Sequence, residues 1–233
     1  MAFSAEAIKK FFNRRKVSYY NLAFGYNERD LFPKGLFERW GLKPRVVIVN
    51  ADYFFINYAS QLAVSIMSEA PRVETEYRLK TWIQPYHIRF CKNGAGLLKR
   101  ILCGNAGAGF RSRKNGRILR TKVADLKVPI KSDIQFPDKL YPRILRAALN
   151  FQAFLSRRGT CLILTYVPSK NTNPTVAARL ARDIGATYIG VDPTGLTTID
   201  GNHLNVRSAE LWGQRFIRGF QPVMQRCLSP QAR

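Results

Sequence analysis

Arg45-Val-Val-Ile-Val-Asn50 is a continuous apolar stretch, and Thr160-Cys-Leu-Ile-Leu-Thr-Tyr-Val167, closed by Pro168, is a second stretch of the same kind. Apolar runs of this length, without polar alternation, are typical of strands that are buried on both faces of a parallel sheet. A third strand is predicted over 187–192, and another over 17–24. Helical patterns separate the strands, so the sequence predicts an α/β fold whose mostly parallel sheet has helices on both faces.

Apolar spacing and local stop signals bound the helices. Gly41 and Gly185 each follow a stretch with helical apolar spacing, as glycine does at helix ends, and Pro33 falls in the first turn of one of these stretches. Ser4 is expected to cap the first helix. The predicted helices span roughly 5–12, 28–40, 54–67, 74–92 with a break near Pro85, 137–158, 174–183 and 205–224.

Residues 93–135 break this alternation. Glycines cluster between Gly94 and Gly109. We interpret the segment as an inserted lid or small β-rich excursion within one domain that spans 1–233. Its basic run supplies the candidate polyanion-binding residues, which are Arg111, Arg113, Lys114, Arg117 and Arg120.

The chain is strongly basic, with 38 Lys and Arg against 15 Asp and Glu and a net charge of +23. Such a charge attracts nucleic acid, anionic lipid headgroups or acidic polysaccharide, although a merely solvated basic surface explains it equally well. The basic residues follow no helix-turn-helix, zinc-finger or RNP-like pattern, which argues against nucleic acid. No apolar run approaches the ~20 residues of a membrane span. Because the first residues also lack a signal-peptide pattern, the chain as written is expected to be cytoplasmic.

The sequence offers little for metals or cofactors. Its four cysteines show neither CxxC nor metal-ligand spacing. Cys161 is expected to be a plain core residue, and Cys91 and Cys103 are expected to be free thiols that could pair in an oxidising compartment. The glycine-rich stretch 104–109 lacks the Gly-Lys-Ser/Thr ending of a phosphate-binding loop. We therefore expect neither a metal nor a cofactor.

The strongest chemical signal is Thr198-Ile-Asp200-Gly-Asn-His203, which lies after the last predicted strand and before the last predicted helix. An aspartate three residues before a histidine in a loop can hold one ring nitrogen, which leaves the other free to act on a hydroxyl. The alternative is a turn-forming Asp-Gly pair with an incidental histidine. His87, the other of the two histidines, lies in a predicted helix without an acidic neighbour. Asp200 and His203 are therefore the candidate catalytic pair.

Three stretches resemble the conserved blocks of SGNH (GDSL-like) hydrolases. Asp200-x-x-His203-Leu before a helix is similar to their final block. Tyr20-Asn-Leu-Ala-Phe-Gly25-Tyr-Asn resembles their second block, and Lys43-Pro-Arg-Val-Val-Ile-Val-Asn50 resembles their third-block strand. The stretch 162–168 is similar to a strand of the membrane-associated branch that acts on polysaccharide O-acetyl groups.

This resemblance implies a flavodoxin-like, three-layer fold and a serine-based site for acyl esters. It implies that His203 is the general base, that Asp200 orients it, and that Gly25 and Asn50 donate hydrogen bonds in an oxyanion hole. The implied reaction is acyl-ester hydrolysis or O-acetyl transfer on a carbohydrate substrate.

The first block of the family, a strand that runs into Gly-Asp-Ser or Gly-Ser-Ser with the nucleophilic serine, has no counterpart in this sequence. No Gly-x-Ser follows a predicted strand, and Met1-Ala-Phe-Ser4 is similar to the residues that come after that serine. We therefore expect the first, central strand of the sheet to be missing and the chain as written to be inactive. We further expect an upstream segment with the serine, which would allow a periplasmic or membrane-associated location. The alternative is a non-catalytic module that binds acidic glycan or anionic lipid through its basic surface.

Overall fold

The computed structural model has a parallel three-stranded sheet at its centre. Its strands are β1 (Val46–Asn50), β5 (Cys161–Thr165) and β6 (Thr187–Ile189), arranged in the order β1-β5-β6. Val46 pairs with Cys161 and Ile163 pairs with Thr187. The described residues are 2–22, 30–51, 54–55, 109–111, 118–120, 127–130, 137–170 and 172–229, together with eight positions between 75 and 93.

Helices flank this sheet on both faces. On one side lie α3 (Tyr141–Ser156) and α4 (Pro174–Asp183), and on the other lie α1 (Glu6–Arg14) and α5 (Val206–Leu228). The side chains of β5 divide between two cores, with Leu162 and Leu164 facing one and Ile163 facing the other. The largest fully buried side chains include Phe55, Phe151, Leu155 and Leu180 in the first core, and Trp212, Phe216 and Phe220 in the second.

The predicted mixed α/β fold with a parallel sheet is therefore confirmed. A further helix, α2 (Leu31–Arg39), has Pro33 in its first turn and is followed by Gly41 at φ +59°, as predicted. Gly185 likewise follows α4 with a φ of +67°. Within the described residues β1 pairs with β5 alone. The flavodoxin-like layering and the missing first strand stay predictions.

The strand predicted over 17–24 is wrong for its described part, because residues 17–22 form no strand. Lys16 has a φ of +53°, and the N–H of Val17 turns back to the carbonyl of Phe12, 3.1 Å away. This reversal is the usual ending of a helix with a left-handed residue. The ring of Tyr19 then stacks on Phe12 with 4.6 Å between centroids, so the segment packs on α1 through side chains.

Ser4 does not cap α1, contrary to the prediction. It ends a short 3-10 turn (Ala2–Ser4), and the residue at the cap position, Ala5, makes no side-chain capping bond. The carboxylate of Glu210 on α5 caps the helix instead. Its oxygens accept hydrogen bonds from the backbone N–H groups of Glu6 and Ala7, the latter at 2.9 Å. A carboxylate is favoured there because the first turn of a helix carries unpaired N–H groups and partial positive charge.

Cys161 is not a plain core residue. It forms a disulfide with Cys227, with 5.9 Å between the Cα atoms, and so links the start of β5 to the end of α5. The prediction failed because the last helix was expected to stop at residue 224, whereas it continues to Leu228 and carries Cys227 to the sheet. Cys91 and Cys103 lie outside the described residues.

Three short strands lie in the described parts of the 93–135 segment. The backbones of β2 (Gly109–Arg111) and β3 (Ile118–Arg120) pair in an antiparallel manner. Another strand, β4 (Val128–Pro129), pairs with β7 (Thr197–Thr198), directly before the Asp200 loop. The segment therefore returns to the main body beside the candidate site.

Among the helices that the structure describes, none combines the length and the apolar character that a membrane crossing requires.

Candidate functional site

The structure brings Asp200 and His203 into direct contact. The Oδ2 atom of Asp200 lies 2.7 Å from Nδ1 of His203. The other oxygen, Oδ1, accepts hydrogen bonds from the backbone N–H groups of Asn202 at 2.9 Å and His203 at 2.8 Å. An ionised carboxylate can only accept, so Nδ1 carries the proton and donates it. In the neutral imidazole this tautomer makes Nε2 the accepting nitrogen, which is the arrangement that a general base requires.

The pKa of Asp200 is set by these bonds. Partial burial raises the pKa, but the hydrogen bonds from the His203 ring and from the N–H groups of Asn202 and His203 outweigh burial, and the net pKa lies below its usual value. Asp200 is therefore ionised at neutral pH. Because 29% of the His203 side chain and 47% of the Asp200 side chain are exposed, solvent and substrates can reach the pair.

A buried threonine anchors the loop that carries Asp200 and His203. Thr198 is fully buried, and its Oγ1 donates to the carbonyl of Val128 at 3.0 Å while accepting from the N–H of Gly201 at 2.9 Å. The N–H of Ile199 bonds to the carbonyl of His203 at 2.8 Å, which closes the loop upon itself. The position of the imidazole is therefore coupled to β4, and through it to the 93–135 segment.

The start of α5 fixes the loop from the other side. Asn205 caps the helix through Oδ1, which accepts from the N–H of Ser208 at 2.8 Å, and its Nδ2 donates to Oγ1 of Thr197 at 2.8 Å. The hydroxyl of Ser208 accepts in turn from the N–H of Thr197 at 2.8 Å. Since Asn205 is almost fully buried, its rotamer is locked. His203 thus stands two residues ahead of a rigid helix start.

Lys170 completes the loop, although nothing in the sequence pattern pointed to it. Its backbone N–H donates to the carbonyl of Gly201 at 2.7 Å, and its alkyl chain lies across that glycine. Gly201 has a φ of +83°, and a Cβ atom there would lie 3.0 Å from Cδ of Lys170. This contact places the Asp200 loop against the chain that leaves the carboxyl end of β5.

We expect Gly201→Ala to lower the free energy of unfolding by about 1–3 kcal/mol, because alanine tolerates the positive φ poorly and its methyl group displaces Lys170. Gly195→Ala is the matched control, since Gly195 has a φ of +76° with nothing within 4 Å of a Cβ atom. Urea unfolding measures both costs, and NMR shifts of the His203 ring report the loop. Equal costs and an unmoved His203 ring in both variants would contradict the prediction.

Asn50 lies at the carboxyl end of β1, as the predicted role requires. Its Oδ1 accepts a hydrogen bond from the N–H of Val167 at 2.9 Å, so the amide ties the ends of β1 and β5 together. Because the oxygen is engaged, the amide nitrogen is the group that can donate to an oxyanion. Gly25 lies outside the described residues.

The candidate polyanion-binding side chains also lie outside the described part of the structure. Only the backbones of Arg111 and Arg120, in β2 and β3, are described. The predictions for these side chains, and for Arg113, Lys114 and Arg117, are not tested. Within the described residues, no three His, Cys, Asp or Glu side chains come together as a metal site would require.

A cavity of about 320 Å³ lies at the carboxyl ends of β5 and β6, and its walls include Tyr166, Pro168, Pro193 and Thr197. None of its described lining residues is charged, and Asp200 and His203 are not among them. The described lining combines proline and leucine side chains with the hydroxyl groups of Thr172, Thr194 and Thr197, so the cavity is a partly polar recess.

Comparison of this chain with protein-family models, with curated proteins and with solved structures gave no match. The resemblance to SGNH hydrolases therefore depends on the sequence motifs.

Proposed function

We propose that Asp200 and His203 form the acid–base pair of an SGNH-type site for acyl esters. In this proposal Nε2 of His203 removes the proton from an attacking hydroxyl and then returns it to the leaving oxygen, while Asp200 stays ionised and holds the ring. Asn50 would donate a hydrogen bond to the oxyanion, and so would Gly25, as the resemblance to SGNH hydrolases implies. The substrate class is an O-acylated carbohydrate.

One observation carries the proposal. Both oxygens of Asp200 are engaged, one by the imidazole and the other by two backbone N–H groups. An aspartate that only forms a turn needs only the backbone hydrogen bonds. A histidine without a function has no reason to be held with its Nδ1 atom 2.7 Å from Oδ2 of Asp200 and its second nitrogen on the far side of the ring. The exposure of the ring also separates it from a structural histidine buried in the core.

The attacking hydroxyl must come from outside the motifs of this sequence. No Gly-x-Ser follows a predicted strand. Ser4 is 8% exposed, and its Oγ accepts a 3.5 Å hydrogen bond from Asn21. We therefore assign to the pair on this chain the activation of water, with no acyl-enzyme. The serine-based reaction that the resemblance implies, in which this chain is expected to be inactive, would need a hydroxyl from a further segment.

Hydrolysis of p-nitrophenyl acetate by the full chain tests the proposal. We expect a slow reaction that His203→Gln lowers by about 10²-fold or more, since a positioned base contributes a factor of that size. Asp200→Asn should lower it similarly, because the amide no longer fixes the required tautomer. His87→Gln is the control and should react like the original chain.

Two results would overturn this function. One is equal loss of activity in His203→Gln and His87→Gln, which would show non-specific imidazole chemistry. The other is no reaction above the rate in buffer for the original chain. A fluorophosphonate probe supplies the separate test of the nucleophile, since covalent labelling would reveal an activated serine on this chain and contradict the assignment of water as the nucleophile.

A further inference from the structure

A helical stripe of large apolar side chains is exposed far from the Asp200 loop in sequence. We call it the Trp82 stripe. Its members are Leu79 (55% exposed), Trp82 (64%), Ile83 (47%), Tyr86 (65%) and Phe90 (39%), and all five are helical. An isolated exposed leucine is ordinary on a protein surface, but five large apolar side chains together indicate an interaction site.

The spacing of the stripe is that of one helix face. Positions offset by three, four, seven and eleven residues lie on one face of an α-helix, and the five members, each helical in the structure, have these offsets. The rings of Trp82 and Tyr86 contact each other with 5.7 Å between centroids, as neighbours on such a face do. A globular helix normally turns its apolar face toward a core, whereas this face is turned toward solvent.

The chemistry of the stripe matches the interface of a lipid bilayer. Tryptophan and tyrosine are enriched at the headgroup level, and leucine, isoleucine and phenylalanine insert at the acyl boundary. The surrounding sequence is basic, since residues 75–100 contain one acidic residue, Glu76, against Arg78, Lys80, Arg89, Lys92, Lys99 and Arg100. Arg89 is exposed beside the stripe. Basic residues near an apolar face are attracted to anionic lipid.

Charge also decides between the occupants of this face. A second copy of the chain would bring another net charge of +23 against the first, whereas an anionic bilayer is complementary to it. Single-stranded nucleic acid is anionic too, and its bases stack on aromatic rings. However, Leu79 and Ile83, two of the five members of the stripe, offer no ring to stack on. A lipid surface accounts for both the aliphatic and the aromatic members.

We propose that the Trp82 stripe docks this protein on the surface of an anionic bilayer, with the stripe at the boundary between headgroups and acyl chains. The binding is peripheral. It is independent of the acyl-ester chemistry assigned to Asp200 and His203.

Co-sedimentation of the full chain with sucrose-loaded vesicles tests the proposal. Vesicles of phosphatidylcholine with 30% phosphatidylglycerol should bind the chain at least tenfold more tightly than vesicles of phosphatidylcholine alone. The double variant Trp82→Ser, Phe90→Ser should lose at least tenfold in affinity for the anionic vesicles. Trp40→Ser is the matched control, because Trp40 is also exposed, at 56%, but lies outside the stripe, and it should bind normally.

Fluorescence locates the stripe in the bilayer. In a Trp40→Phe background, Trp82 is the exposed tryptophan and Trp212 is buried, so anionic vesicles should shift the emission to the blue and brominated lipid should quench it. Circular dichroism checks that the double variant is folded, as expected for exposed positions. Equal vesicle binding by the double variant and the Trp40→Ser control would overturn the proposal. The proposal would also be overturned if the original chain bound no vesicles and the double variant lost a dimer, or oligonucleotide binding, that the original chain shows.

Discussion

Replacing Trp212 with alanine is expected to lower the free energy of unfolding by about 3–5 kcal/mol, the usual cost of removing a large aromatic side chain from a core. Trp212 is fully buried on α5. Its ring stacks on Phe216 with 5.1 Å between centroids and meets the edge of Phe3 at 5.0 Å. Its indole N–H donates to the carbonyl of Tyr166 at 3.1 Å, so the variant also leaves a buried acceptor without its donor.

Urea unfolding followed by circular dichroism measures this loss. Trp40→Ala is the control, because that tryptophan is 56% exposed and its removal should change the free energy by no more than about 0.5 kcal/mol. A loss in Trp212→Ala as small as that in the control would show that the core between α5 and the sheet is not packed as described.

Removing the disulfide between Cys161 and Cys227 is expected to cost about 4 kcal/mol. The bond closes a loop with a sequence separation of 66, and the freedom that the unfolded chain regains on losing such a link grows with loop length. The double variant Cys161→Ser, Cys227→Ser should therefore unfold at much lower urea than the original chain. Since the link holds the end of α5 to β5, the C-terminal turns of α5 should also lose protection from hydrogen exchange first.

Reduction provides the independent check on the disulfide. A reducing agent should lower the unfolding midpoint of the original chain toward that of the double variant. A double variant whose midpoint equals that of the oxidised original chain would show that the two cysteines are not linked in solution.

The sheet could be predicted because its signals are local. Residues 45–50 and 160–167 are apolar throughout, and a buried parallel strand requires no more than that. Gly41 and Gly185, which follow α2 and α4, could be predicted in the same way, since both have the positive φ that favours glycine. The 17–24 stretch has the composition of a strand but packs by stacking Tyr19 on Phe12, a tertiary contact that overrides propensity.

The candidate site divides in the same way. The contact between Asp200 and His203 spans three residues, and sequence spacing predicted it. The bond from Lys170 to Gly201 and the bond from Thr198 to Val128 join segments that are distant in the chain, so no local pattern encodes them. Asn50 was predicted as an oxyanion donor, but the hydrogen bond that its Oδ1 accepts from Val167 depends on the pairing of β1 with β5.

The cap that Glu210 provides for α1 has a consequence for how the protein is made. Ala7 and Glu210 are separated by 203 positions, so a ribosome adding about 5–20 residues per second completes the acceptor on the order of 10–40 s after the donor. Throughout that interval the first helix has neither its cap nor Phe220, on which Phe11 and Phe12 pack. The aromatic face of α1 is therefore exposed on the nascent chain throughout that interval, and exposed apolar surface of this kind favours association with other chains before folding is complete.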